Sequence, residues 1–160
     1  MLFGLLLIGT GCLTSTIQYK RGLKIHKGTN VIIVKIEDAD TAEEATENAA
    51  DALRMRFQIA EMNQEQGYVR TASKQYNRNI FSSNVRFRLR VAVIDAETAK
   101  VTGDFVAHSS DADRAQWHPI SYRGQKGSRA LTSWAQLLAA SEHIGTVIDF
   151  RTDPSSDPRK

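Results

Sequence analysis

From Val85 to Ile94 the chain reads VRFRLRVAVI. Val85, Phe87, Leu89, Val91 and Val93 fall on one side of an extended backbone, while Arg86, Arg88 and Arg90 fall on the other. A strict period of two fits a half-buried strand and fits no helix. Asp95 to Ala99 supplies a short connection, and Val101 to Ala107 returns with Val101, Gly103, Phe105 and Ala107 facing the same way. The two segments predict an antiparallel hairpin with a four- or five-residue turn. A sheet with one apolar face must bury it against a second layer.

Two helices can supply that layer. Thr41 is placed to accept the amide of Glu44 while the Glu44 side chain reaches back, a reciprocal cap that opens a helix expected to run to about Glu65. Glu43, Glu44 and Glu47 suit the positive end of its dipole. Ala42, Ala45, Ala49, Ala52, Leu53, Phe57 and Ala60 form a narrow stripe that allows close packing, and Gly67 is read as the helix cap. The second helix is expected from Ser128 to about His143, with Leu131, Trp134, Leu137 and Leu138 apolar and Gly145 at its end. Val31 to Ile36 is a β-branched run of the kind found in strands covered on both faces. Tyr68–Tyr76 and Thr146–Phe150 are further strand candidates, and the turn-rich stretch 77–84 carries Phe81. The fold class expected is α+β, an antiparallel sheet of about four or five strands with two helices packed on one face. A length of 160 residues, 41% hydrophobic and 24% charged, bounds a single domain of ordinary globular usage.

The first twelve residues, MLFGLLLIGTGC, are an apolar run through Ile8 closing on small residues and the one cysteine. No Lys or Arg precedes Leu2. The run is too short for a spanning helix, which needs roughly 20 apolar residues. It resembles a bacterial lipoprotein signal peptide ending in a lipobox: Thr10 and Gly11 fill the two small positions before Cys12, with Ile8 the nearest aliphatic residue and Gly9 between them. The resemblance implies cleavage before Cys12, acylation of Cys12, and a mature domain in the cell envelope. Leu13, rather than Asp, follows the cysteine, which in such lipoproteins implies the outer membrane, facing the periplasm. The expected organisation is a signal peptide over 1–11, lipidated Cys12 and a polar tether over 12–29, one α+β domain over 30–151, and a disordered tail over 152–160. The alternative is an N-terminal segment buried in a cytosolic domain, against which Gly4, Gly9 and Gly11 count as poor helix formers. The phrase VAVIDAETAKVTGDF is also similar to sheet hairpins of curli-secretion-type assembly lipoproteins, and no functional residue is carried across from that likeness.

Charge is divided along the chain. Between Arg70 and Lys100 seven cations face two acids, net +5, whereas between Glu37 and Glu65 nine acids face two cations, net −7. If no helix covers them, Arg86, Arg88 and Arg90 form a ladder suited to an anionic partner: lipid phosphates, an acidic glycan or an acidic protein face. The alternative is that these arginines pair with the domain's own glutamates, as charges on an open sheet face commonly do. His108, Asp111, Asp113 and His118 carry metal-ligand chemistry in one polar loop, at a spacing that matches no metal motif; a solvated loop is the other reading. There is no Gly-x-Ser-x-Gly elbow and no glycine-rich phosphate loop, and catalytic groups assembled only by geometry stay open. No cofactor is expected. Nucleic acid fits poorly with a net charge of +3 and with aromatics that point away from the arginines. The sequence therefore favours a non-enzymatic, membrane-anchored binding or scaffolding module with an envelope protein, glycan or lipid as partner. The rival is a ligand- or metal-binding or hydrolytic domain that uses the 108–118 loop.

Overall fold

A computed structural model of the chain describes residues 16–76, 85–107, 116–123 and 128–156. The elements in order are β1 (Thr16–Gln18), β2 (Lys24–His26), β3 (Val31–Lys35), α1 (Ala42–Arg54), β4 (Ile59–Asn63), β5 (Tyr68–Thr71), β6 (Lys74–Tyr76), β7 (Val85–Asp95), β8 (Thr98–Ala107), β9 (His118–Pro119), α2 (Ser128–Ile144) and β10 (Thr146–Arg151). The class is mixed helix and sheet with an antiparallel sheet and two helices, as expected, but the main sheet has eight strands rather than four or five. Its order is β10-β3-β8-β7-β5-β4, with β6 paired to β7 and β9 paired to β8.

The long hairpin β7–β8 organises the sheet, in register from Val85 opposite Ala107 to Val93 opposite Ala99. Its turn is tighter than expected: Ala96 and Glu97 alone separate the strands. Phe87, Leu89, Val91, Ala99 and Val101 are buried on one face, under α1 and α2, which also touch each other. Ala45, Ala49 and Leu53 of α1 and Trp134, Leu137 and Ala140 of α2 complete one continuous core. β3 lies between β10 and β8, and Val31 to Val34 are all buried, which agrees with a strand covered on both faces.

Four expectations are corrected. The Thr41 helix ends at Arg54, not near Glu65; Phe57 turns into the core, edge-on to Phe87 at 5.8 Å between centroids, and Ile59–Asn63 becomes an edge strand. Gly67, at φ 62°, belongs to the β4–β5 turn rather than to a helix cap. The proposed tether is folded: β1 and β2 form a hairpin whose Ile25 is 1% exposed, and Tyr19 packs edge-on against Phe150 at 5.1 Å. At the other end, Thr152 was expected to begin a disordered tail, yet Asp153 exchanges two hydrogen bonds with Asn30 and its carboxylate accepts from Lys100 at 2.7 Å. Gly145 marks the end of α2 as expected, for a steric reason: a Cβ there would lie 2.1 Å from the Lys35 carbonyl oxygen.

Candidate functional site

Alternation along β7 sets Arg86, Arg88 and Arg90 on the face away from the helices. The register then determines what each of them meets. Asp104 of β8 lies directly opposite Arg88, Thr102 opposite Arg90, and Val106 opposite Arg86. One carboxylate serves two arginines: Asp104 Oδ2 accepts from Arg88 Nε at 3.1 Å, and Oδ1 accepts from Arg90 Nη2 at 2.9 Å. Asp104 is 7% exposed, so the ladder is fastened to the sheet at a nearly buried acid. On the far side, the Arg88 guanidinium stacks over the Trp117 ring, 4.3 Å from its centroid. Arg70 of β5 lies opposite Arg90 and pairs with Glu61 of β4 at 3.0 Å. Arg86 is exposed and makes no ion pair among the described residues. Arg90 Nε is enclosed without a hydrogen-bond partner.

The arrangement is a cationic face of four arginines against two acids, and the neutralising groups come from neighbouring strands rather than from the glutamates of α1. Arg88 and Arg90 have spent donors on Asp104, so Arg86 is the member of the predicted ladder free to make a direct contact. Guanidinium groups keep further donors after such a pairing, because each carries five in a fixed plane.

The second polar cluster sits where the N-terminal hairpin meets the end of α2. The Tyr19 hydroxyl donates to Glu142 Oε1, and Lys20 Nζ reaches the same oxygen at 2.9 Å. Burial, followed by the hydrogen bond to Glu142, pushes the Tyr19 phenol up to about 12. The Tyr19 hydrogen bond, followed by that of Lys20, holds Glu142 below the usual carboxylate range. These residues border a shallow cleft of about 290 Å³ that also takes in Arg21, Thr146 and Val147.

Of the metal-ligand candidates, His108, Asp111 and Asp113 lie outside the described residues, as does Cys12. His118 is described, and its ring packs against Phe105 at 5.9 Å between centroids. Among the described residues no three His, Cys, Asp or Glu side chains converge as a metal site, and no helix is long and apolar enough to cross a membrane. Sequence reasoning missed Asp104, Arg70, Trp117 and the Tyr19–Glu142 pair. The same period of two that aligned the arginines places Asp104 on their face, so that residue was within reach; nothing in the spacing of Trp117 or Glu142 signals their partners.

No protein-family model matches the chain, and no curated protein matches it. Among solved structures, the chain is similar to a TBP-like protein from Parabacteroides distasonis, at 10% identity over 70% of this chain and 90% of that one, with a TM-score of 0.40.

Proposed function

We propose that this protein is a non-enzymatic binding or scaffolding module of the cell envelope, anchored through acylated Cys12, that presents the outer face of β7 to an anionic partner. The observation that carries the reading is the fixed arginine array. Asp104 and Trp117 hold Arg88 and Arg90 in place, and Arg86 lies beside them, exposed and without an ion pair among the described residues. A cation ordered in advance loses less freedom when its partner arrives. Within the Debye length of about 8 Å at physiological salt, neighbouring guanidinium groups add to the potential that Arg86 presents.

The geometry also decides how to test it. Replacing all three arginines would strand Asp104, a nearly buried acid, and confuse loss of binding with loss of fold. Arg86→Gln and Arg86→Glu avoid this. On immobilised polyglutamate, the first variant is expected to elute at lower salt than the parent and the second at lower salt still, with unchanged denaturation midpoints. Retention indifferent to position 86 would overturn the binding face. The anchor is checked separately: the N-terminal fragment from a bacterial host should begin at Cys12 and carry acyl mass, and the Cys12→Ala variant should lack it.

A further inference from the structure

The N-terminal hairpin takes no part in the arginine face, and its tip has an unusual conformation. Lys20–Gly22 forms a tight turn in which Arg21 sits at φ 60°, ψ 23° and Gly22 at φ 76°. Left-handed backbone suits glycine or asparagine, and an arginine there is sterically disfavoured. A turn selected for stability alone would place glycine or asparagine at that position. Here a strained residue holds an exposed cation at the apex. Lys20, Arg21, Lys24 and Lys27 are all exposed. The platform beneath them is firm: Ile25 is buried, Ile17 and Leu23 pack against the core, and Tyr19 is fixed by Phe150 and Glu142. Lys20, Arg21 and Lys24 stand at the tip end and Lys27 follows β2 at the base, where His26 lies opposite Thr16; among the described residues Glu142 meets Lys20, so the four cations of the hairpin retain a net +3.

We infer that this hairpin, with cations at its tip and at its base, is a docking surface for an anionic lipid bilayer. The inference draws on the anchored reading only for its setting. Cys12 and Thr16 are four residues apart, a span of at most about 14 Å whatever path the chain takes. An acyl chain on Cys12 would therefore hold the hairpin against the headgroups. A folded hairpin cannot act as a long spacer, so the cations at both of its ends come within reach of the surface that most favours them. A Lys or Arg near anionic lipid strengthens partitioning by about five-fold, so three uncompensated cations contribute on the order of 10²-fold.

The test uses the full chain with Cys12→Ala, so that binding is read without acylation and a failure of the anchor cannot be mistaken for a failure of the surface. Partitioning onto phosphatidylcholine vesicles containing phosphatidylglycerol is expected to be salt-sensitive and absent on phosphatidylcholine alone. Combining Arg21→Gln, Lys24→Gln and Lys27→Gln leaves the Lys20–Glu142 pair in place and should weaken partitioning on the order of 10²-fold, whereas Arg54→Gln, at an exposed cation of α1 on the helical side of the sheet, should leave it unchanged. Arg21→Gly separates function from structure, because it relieves the turn and should raise the denaturation midpoint while weakening partitioning about five-fold. Equal partitioning of the triple variant, equal binding to neutral vesicles, or an equal loss on Arg54→Gln would overturn the inference. So would competition by millimolar inorganic phosphate at constant ionic strength, which would mark a free-phosphate site instead.

Discussion

Asp104 shows how much one side chain decides on an open sheet face. Its carboxylate is shared by Arg88 and Arg90, so replacing it leaves two guanidinium groups close together with no acid between them. Loss of one partner from a buried pair is costly, and partial exposure of the arginines moderates it. Asp104→Asn is expected to lower stability by about 1–2 kcal/mol in urea denaturation, and added sulfate should restore more of it than added chloride. An unchanged midpoint would show that the arginines are held by other contacts. Tyr19 makes a prediction in pH. Its phenol titrates near 10.0 when unfolded and at about 12 in the fold, so the fold favours the protonated form. The contribution is complete below pH 10 and disappears as pH rises toward 12. Phenolate absorbance should report a late titration step assigned to Tyr19, and Tyr19→Phe should remove both that step and the associated loss of stability.

At the scale of elements, what could be read from the sequence followed the strength of local periodicity. The hairpin β7–β8 and the buried strand β3 were legible because each has an unbroken pattern that one register alone can bury. The start of α1 was legible too: Thr41 Oγ1 accepts the Glu44 amide at 3.1 Å, and the Glu44 side chain reaches back to the Asp40 amide at 2.9 Å. The end of α1 was not. Ala60 continues the helical stripe by spacing alone, and the choice of strand for Ile59–Asn63 is made by pairing with β5, a long-range contact that no local window contains. The short strand β9, and the division of the Tyr68–Tyr76 candidate into β5 and β6, were hidden for the same reason, and with β4 they account for the larger sheet. At the site, period two revealed the arginines, whereas Trp117 comes from a loop whose course depends on the Ile120 amide bonding to the Gly103 carbonyl at 2.8 Å. Tight approaches between elements give a ranked prediction. Gly145→Ala drives a Cβ to 2.1 Å from the backbone oxygen of Lys35, whereas Gly103→Ala meets the end of the flexible Ile120 side chain at 2.8 Å. The first should cost at least about 3 kcal/mol and the second about 1. Thr41→Ala should fall near the milder value, at about 1 kcal/mol.

For the whole molecule, the sheet separates the charges already visible along the sequence. α1, with Glu43, Glu44, Glu47 and Asp51, lies on the helical side, while the arginines of β7 occupy the opposite face. Lys20 and Arg21 border the same cleft as Thr146 and Val147 of β10, at the edge of the sheet remote from β4, while Lys27 lies at the other end of the hairpin, on the side of Thr16. On the anchored reading, an acyl chain within about 14 Å of β1 and the cations of the hairpin together would set this edge of the sheet against a bilayer and leave β7 accessible for a partner. Lysine reactivity reads this orientation directly. When the acylated protein in membranes is compared with the soluble Cys12→Ala form, labelling of Lys24 and Lys27 should fall several-fold, because their amines lie within the headgroup layer. Lys35, half-exposed and paired with Glu97 at 3.5 Å, should react equally in both forms. Dividing each membrane rate by its soluble counterpart cancels intrinsic reactivity, so the ratio reports position alone. Equal ratios at Lys24, Lys27 and Lys35 would mean that the domain tumbles freely above the surface, and the basic hairpin would then be an ordinary solvated edge. A low ratio confined to Lys24 and Lys27 requires a fixed attitude toward the membrane, with the hairpin at the bilayer and the arginine face of β7 left to a partner.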